Sequence, residues 1–413
     1  RAEEVEKQVE EIKDVNKKLH SMLFEKYHGR IRTKRPHKSM KRTKESYQRP
    51  TPETITDRRE LALEACPQCD TPVHNPISAR TRVIEDIVFH PQPEAVEWTI
   101  NRYWCVNCLT QVSGHIPGML PKTRIGPNTL TFVVIAKYRW NQPYEKIQDQ
   151  LNISFGLHVS QGEIANLISR SADLVGEKWE EITEAVKLGQ AVHCDETGWY
   201  INGKKVWAHT FATESAILYV ISPSLGKGVP QDHLQGYQGV RITDCLPNYK
   251  NLDGLHQICW AHITREAQDN MQRMSDNTER QILMKELDTI YAYLRKGTGQ
   301  ETWDQNYADR IHRRSRKSLQ KLHLRQWNDT ACQRIINRLK DFDHALFTCL
   351  SGSGIPPDNN HAERVLRKIV VQRKISGGNR SPAHADHHAR LMSVMETLRL
   401  ENKPLLSNLQ SIL

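Results

Sequence analysis

The sequence has 413 residues, of which 38% are hydrophobic and 26% are charged, so it can form packed cores and is not disordered throughout. No apolar run approaches the roughly 18 residues of a membrane-spanning helix, and no charged-then-apolar leader is present, so we expect no membrane partner. The 58 lysines and arginines exceed the 48 acidic residues and give a net charge of +10.

A heptad-like seam predicts a coiled-coil helix near the start of the sequence, within residues 1–29. Its members, spaced alternately by four and three positions, are Val5, Val9, Ile12, Asn16, Leu19 and Leu23. A polar residue on such a seam, here Asn16, favours a dimer in one register. The same helix could instead pack on its own domain, so self-association and intramolecular packing both remain open.

Positive charge is concentrated in residues 30–59, which we interpret as a basic linker. Nine basic residues and one acid lie between Arg30 and Pro50. Such a segment suits a polyanion, above all nucleic acid, although a solvated linker without a partner has the same composition. The candidate DNA-binding residues in it are Arg32, Lys34, Arg35, Lys41 and Arg42.

Two Cys-x-x-Cys pairs indicate a zinc-binding module over residues 60–118. They comprise Cys66, Cys69, Cys105 and Cys108. Tetrahedral zinc takes four thiolates, and pairs with this spacing can supply them from separate loops, as in a zinc ribbon. Runs rich in β-branched and aromatic residues, 83–89 and 98–104, predict strands between the pairs. We therefore expect one structural Zn²⁺, with reduced, unliganded cysteines as the alternative.

Residues 119–187 read as a helical region in which two short amphipathic segments resemble a helix-turn-helix. The segments 144–151 and 160–168 flank a turn containing Gly156. Ser160 is the expected N-cap of the second helix, with Glu163 completing a capping box. Helix pairs are common, so an ordinary packing role is as open as DNA recognition.

From residue 188 the pattern changes to strands and predicts an α/β layer fold. The expected strands are 191–195, 205–213, 216–222, 239–244 and 255–259, followed by a helical, proline-free region over 262–350. Asp195 and Asp244 both stand at strand ends, where side chains converge and remain accessible. Glu363 lies on a later predicted helix that could pack against the same edge.

Three converging carboxylates repel one another unless cations neutralise them, and Mg²⁺ prefers carboxylate oxygen. Two such ions can activate the attacking oxygen and stabilise the leaving oxygen in phosphoryl transfer. Glu363 could instead close a capping box with Asn360 at its helix start. Glu196 adjoins Asp195 but faces the other side of a strand, so only one of the two can face the metals.

Four motifs in order resemble those of the bacterial insertion-sequence 66 family of DDE transposases. They are Asp195-Glu-Thr-Gly-Trp199, Thr243-Asp244, Cys259-Trp-Ala-His262 and Asp358-Asn-Asn-His-Ala-Glu363-Arg364. The resemblance implies an RNase H-like core in two parts, 188–261 and 351–413, separated by an all-helical insertion over 262–350. It also implies that Asp195, Asp244 and Glu363 are the catalytic triad and bind two Mg²⁺ or Mn²⁺ ions. One departure is Ile375-Ser376-Gly377-Gly378, where the family tends to place Asn and an aromatic residue.

By this resemblance the expected function is DNA transposition, with metal-dependent strand cleavage and strand transfer in the bacterial cytoplasm, in association with the nucleoid. The expected partners are double-stranded DNA (terminal repeats and target), a second copy or higher assembly on DNA, and accessory proteins of the same element. A structure-specific nuclease on the same fold and a catalytically idle DNA-binding regulator are the alternatives.

Other residues of these regions also have ordinary structural interpretations. Four basic residues around Glu363 could hold phosphates or be surface charge: Arg364, Arg367, Arg373 and Lys374. Cys259 and His262 are interpreted as structural residues near Asp244, and Asp358 as a turn or cap residue. The His384, His387 and His388 cluster reads as a solvated polar loop, and Trp303 and Trp327 as core residues.

Overall fold

The computed structural model describes residues 93–413 except 108, 114–115, 117–118, 120–122, 251, 253, 301 and 402–403, together with residues 55, 58 and 72. The chain divides into two units, Arg1–Val88 and Phe89–Leu413, and the second is described below. The predicted coiled coil, the basic linker and its candidate residues, the strand at 83–89, and Cys66, Cys69 and Cys108 lie outside the described residues.

A two-stranded antiparallel hairpin opens the described part of the chain. It consists of β1 (Arg102–Cys105) and β2 (Thr110–Ser113), with Cys105 opposite Thr110. The strand predicted at 98–104 begins later than expected, because residues 98–101 are not in a strand. The four residues of β2 pair with Arg102–Cys105 alone, so residues before Arg102 have no strand partner in this hairpin.

Four helices follow, and their buried faces pack together. They are α1 (Pro127–Tyr138), α2 (Tyr144–Phe155), α3 (Gln161–Leu174) and α4 (Gly176–Leu188). The predicted turn between α2 and α3 is present, because Gly156 ends α2 at φ +64°. Ser160 caps α3, its hydroxyl accepting the Glu163 backbone N–H at 3.1 Å. The helix-turn-helix geometry at this point therefore follows from local sequence signals.

A five-stranded mixed sheet forms the centre of the fold. Its strands are β3 (Ala191–Ile201), β4 (Lys204–Ala212), β5 (Ile217–Ser222), β6 (Val240–Thr243) and β7 (Leu255–Ile258). Their order across the sheet is β5-β4-β3-β6-β7, with β3, β4 and β5 antiparallel and β6 and β7 parallel to β3. The short helix α5 (Gly228–His233) lies between β5 and β6 in the chain. The prediction of a mixed α/β fold is confirmed.

Four helices separate β7 from the C-terminal helices. These four inserted helices are α6 (Trp260–Arg273), α7 (Thr278–Thr298), α8 (Gln305–Leu324) and α9 (Thr330–Asp341). The C-terminal helices are α10 (Asn360–Ser376), α11 (Pro382–Leu400) and α12 (Leu405–Ile412). No helix of the described residues is long and apolar enough to cross a membrane.

Two hydrophobic cores hold these elements. The first joins α1–α4 with β3–β5 and the C-terminal helices, and the second joins β6 and β7 with α6–α9. Trp327 is buried in the second core and Trp303 is partly buried against it. The solvated-loop interpretation of the histidines at 384–388 is wrong, because all three lie on α11 and His388 packs against the rings of Tyr138 and Trp199.

The Gly377-Gly378 sequence is explained by the contact between the end of α10 and the end of β3. Gly377 terminates α10 at φ +70°, and Gly378 follows at φ +116°. Asn379 then donates its N–H to the Tyr200 carbonyl (2.9 Å), and its own carbonyl accepts the Asn202 N–H (2.8 Å). A side chain at Gly378 would overlap the Tyr200 carbonyl oxygen.

We expect Gly378→Ala to destabilise the fold by about 1–3 kcal/mol, because alanine at this backbone conformation is strained as well as crowded. The control is Gly228→Ala, where a Cβ meets nothing within 4 Å and the change is expected to stay within about 0.5 kcal/mol. Urea unfolding of both variants measures the difference. Equal midpoints for the two would contradict this account of the loop.

Candidate active site

The first two acidic residues are brought together by the parallel pairing of β3 and β6. His193 of β3 stands opposite Ile242 of β6. Continuing this register by two residues puts Asp195 beside Asp244, which directly follows β6. Neighbouring strands lie about 4.8 Å apart, and a step of two residues keeps a side chain on the same face. Both aspartates therefore lie on one face of the sheet.

That face of β3 is covered by α10, the helix that carries Glu363. Side chains on either side of Asp195 along this face contact α10: the His193 Nδ1 lies 3.0 Å from the Asn359 Oδ1, and the Thr197 hydroxyl accepts an Arg373 N–H at 3.1 Å. Since alternate residues of a strand share a face, Asp195 also faces the helix. Glu363 lies in the first turn of α10, at the His193 end.

Asn359 fixes the start of α10 against two strands of the sheet. This fully buried side chain donates to the Cys194 carbonyl at 2.7 Å and meets the His193 ring, while its backbone N–H donates to the Cys259 Sγ at 3.1 Å. The Cys259 N–H in turn donates to the Thr243 carbonyl at 2.7 Å, one residue before Asp244. One asparagine thus ties the position of Glu363 to the strands that carry both aspartates.

Asp358 acts as a turn residue, in agreement with its sequence interpretation. Its Oδ1 accepts the Asn360 N–H at 3.2 Å, and its Oδ2 accepts the Tyr291 hydroxyl at 2.8 Å. Tyr291 belongs to α7, so the inserted helices also hold the segment that leads into α10.

The carboxylate of Glu363 does not cap its own helix. Asn359, not Asn360, is the N-cap, and the buried Oε1 of Glu363 has no hydrogen-bond partner among the described residues. It lies instead 3.5 Å from the His262 Nε2 and 3.6 Å from the Arg265 Nη1, both on α6. His262 is thus a site residue that sequence reasoning took as merely structural. The signals for it were its place in the Cys259-Trp-Ala-His262 motif and its position in the first turn of the helix that follows β7.

Burial and mutual repulsion oppose ionisation of the aspartates. Burial, followed by the charge of Asp244, raises the pKa of Asp195 to about 7, even though its Oδ1 accepts the Glu196 N–H. Glu363 adds to the same repulsion. Burial also raises the pKa of Asp244 to about 6, against the Leu246 N–H that its Oδ1 accepts at 3.0 Å. Asp195 therefore lies in the electrostatic field of both other acids.

Glu196 faces away from this site, as strand alternation predicts. Its side chain is only 2% exposed, accepts the Tyr249 hydroxyl and lies 3.7 Å from the His209 Nδ1. Tyr249 belongs to the short turn after Asp244. Glu196 therefore holds the loop that follows Asp244, and it does so from the opposite face of β3.

An open groove of about 470 Å³ extends from Asp244 between α6 and α9. It is lined on the α6 side by His262 and Arg265 and on the α9 side by Arg334 and Arg338. Arg338 pairs with Glu266 and lowers the pKa of Asp244, partly offsetting its burial. The groove therefore leads to Asp244 past basic side chains, with the acids Glu266 and Asp269 also in its lining.

The four basic residues predicted around Glu363 divide into two kinds. Arg364, Arg367 and Lys374 are exposed and recur at helical spacing along one side of α10. Arg373 instead donates to the Gly198 carbonyl and the Thr197 hydroxyl, joining α10 to β3. Among the described residues, Arg373 therefore has a structural contact that is not found for the other three.

As they lie, no three His, Cys, Asp or Glu side chains within the described ranges form a group that could hold a metal ion. The chemistry of the donors nevertheless suits a hard cation. Three carboxylates share one region, two of them have raised pKa values, and the buried oxygen of the third lacks a hydrogen bond.

Comparison with known proteins gives one family and one relative. The Transposase IS66 family matches residues 122–387, more than half of the chain. The relative, named only "Uncharacterized protein y4hP", comes from Sinorhizobium fredii (strain NBRC 101917 / NGR234) and is 22% identical over 355 residues. The match covers 75% of this chain and 63% of the relative, so the chain spans less than two thirds of that protein's length. With the family match covering the sheet, the inserted helices and α10, the chain belongs to the IS66 family of transposases.

Proposed function

We propose that the protein is a DNA transposase that cleaves and joins DNA strands with Asp195, Asp244 and Glu363. The supporting observation is the convergence of these residues, through the β3–β6 register and the packing of α10, in a chain of this family. The β5-β4-β3-β6-β7 order, with three antiparallel and two added parallel strands, supports an RNase H-like core in two parts around the inserted helices.

The three carboxylates would hold two Mg²⁺ or Mn²⁺ ions. When bound, such a pair activates the attacking oxygen and stabilises the leaving oxygen of a phosphodiester. Glu363 would turn from His262 and Arg265 toward the aspartates, leaving those two side chains free to contact DNA. Asn359 holds α10 in register during this change, and Arg364, Arg367 and Lys374 would hold phosphates along the exposed side of α10.

The rest of the chain would supply DNA recognition and assembly. In this proposal Cys66, Cys69, Cys105 and Cys108 bind one structural Zn²⁺, and the basic linker and the α2–α3 pair bind terminal repeats. The N-terminal helix would pair two copies on DNA, and accessory proteins of the element could join them. Target DNA would enter by way of the groove beside Asp244.

The deciding experiment supplies a duplex with a free 3′-hydroxyl element end, a supercoiled target plasmid and Mg²⁺. A transposase joins the end to the plasmid, and chelation with EDTA stops the joining. Cleavage of DNA without joined product would indicate a nuclease. DNA binding that is indifferent to EDTA, with neither product, would indicate an idle regulator.

A further inference from the structure

The strongest concentration of positive charge among the described helices lies on α8. This helix carries six lysines and arginines and a single acid, Asp309. Its neighbour α7 carries four basic and three acidic residues, which is close to balance. The excess therefore belongs to α8 and is not a general property of the inserted helices.

The basic residues form one exposed stripe. We define the α8 stripe as Arg310, Arg313, Arg314, Lys317 and Lys321, all of which are exposed. At about 100° per residue they fall within roughly 100° of the helix circumference and span about 16 Å of its axis. The opposite face, which includes Ala308, Ile311, Leu319 and Leu322, is buried in the second core. The helix therefore presents the α8 stripe to solvent in a fixed orientation.

Nothing in the described part of the protein neutralises the α8 stripe. Its five side chains make no ion pair there, whereas Arg316, just outside the stripe, pairs with Asp343 at 2.5 Å. Like charges four residues apart destabilise a helix, and the stripe contains three such pairs: 310 with 314, 313 with 317, and 317 with 321. Binding of an external polyanion would relieve this repulsion.

Two of the arginines are already held in position. The Arg310 guanidinium lies 5.5 Å from the centre of the Tyr307 ring, and that of Arg314 lies 5.2 Å from the Tyr293 ring. Stacking on a ring uses the face of a guanidinium and leaves its N–H edge free for phosphate oxygens. Side chains three or four positions apart on a helix are about 5–6 Å apart, so the stripe offers a row of closely spaced cations.

We propose that the α8 stripe binds the sugar-phosphate backbone of duplex DNA, independently of sequence. The choice of DNA as the polyanion rests on the proposed function, and the row of charges fits a helix that carries one negative charge per roughly 1.7 Å of its axis. The inserted helices would thereby add a second DNA contact to the one at the carboxylates.

The test measures binding of the full chain to a 40-base-pair random-sequence duplex between 50 and 200 mM KCl. The variant is Arg313→Gln/Lys317→Gln/Lys321→Gln. Each lost phosphate contact lowers the slope of log Kd against log salt by about 0.9, so the slope should fall by about 2–3 and affinity at 100 mM by roughly 10- to 100-fold. The thermal midpoint should stay equal or rise, because repulsion along α8 is removed.

The control has the same loss of net charge at basic residues that already pair with carboxylates. It is Lys178→Gln/Lys187→Gln/Arg390→Gln, whose partners are Glu181, Glu184 and Asp386. A stripe variant that changes the slope no more than this control would overturn the proposal. If the wild-type protein joins DNA ends while the stripe variant binds normally, only the α8 proposal fails. If no joining occurs but the stripe variant loses affinity, only the proposed function fails.

Discussion

Asp195→Asn is expected to reduce strand transfer by at least about 10³-fold while making the metal-free protein more stable at neutral pH. The loss of activity follows from removing one of the carboxylates that would hold the ions. The gain in stability follows from the electrostatics, because an amide of nearly the same shape neither repels Asp244 nor requires a buried charge. Opposite effects on activity and stability are typical of a functional residue and not of a structural one.

The pH dependence of that gain has a definite sign. In the unfolded chain Asp195 loses its proton near pH 3.8, but in the folded protein it does so only near pH 7. At Asp195 the folded state therefore binds more protons between these values, so the contribution of this residue to the free energy of unfolding falls as pH rises from about 4 to 7 and is constant above. At about 1.4 kcal/mol per pKa unit, ionised Asp195 destabilises the metal-free folded state at pH 8 by on the order of a few kcal/mol.

Thermal melts of wild type and Asp195→Asn in EDTA, at pH 4 and pH 8, check this expectation. The two proteins should melt nearly together at pH 4, and the variant should melt several degrees higher at pH 8. Asp276→Asn, an exposed position, is the control and should follow the wild type at both values. Equal midpoints at pH 8, or retained joining activity, would contradict the role given to Asp195.

Much of the sheet was predictable because its signals are local. The strand that contains Asp195 and the strand that precedes Asp244 are both set by short runs of β-branched and apolar residues. The predicted end of the first strand at Asp195 is wrong, because pairing with β4 extends β3 to Ile201. The α2–α3 turn is likewise set by Gly156 and by the Ser160 cap. The prediction that both aspartates stand at strand ends holds for Asp244 alone, since Asp195 lies within β3. Which strands are neighbours depends on tertiary packing, and only the β3–β6 pairing makes the two residues adjacent.

Contacts between residues far apart in the chain could not be predicted from the sequence. The capping interpretation of Glu363 was reasonable because Asn360 lies three residues before it, yet the helix starts one residue earlier, at the Asn359 cap. The reason is the burial of Asn359 against Cys194 and Cys259, which are 165 and 100 residues away. The approach of His262 to Glu363 has the same origin, because α6 and α10 are far apart in the chain and come together only through tertiary packing.

Asn359→Ala is the second substitution for which we expect a large effect, because it removes the side chain that ties α10 to β3. The Cys194 carbonyl and the His193 ring lose their partner in a fully buried environment, which costs about 1–3 kcal/mol for each unsatisfied group. The start of α10 can then shift. A displacement of about 1 Å of a catalytic group costs on the order of 10²-fold in rate.

The expected result is therefore a strand-transfer rate about 10²-fold below wild type at a temperature where circular dichroism shows the variant folded, with unchanged affinity for duplex DNA. The matched control is Asn328→Ala, an exposed asparagine just before the Asp329 cap of α9, which should leave stability and rate near wild type. Because the Asn359 side chain contacts Cys194 and His193 and none of the three carboxylates, we expect its effect on rate to pass through the positions of α10 and β3. Wild-type joining by a destabilised but folded Asn359→Ala protein would mean that α10 does not need this anchor to bring Glu363 to the aspartates.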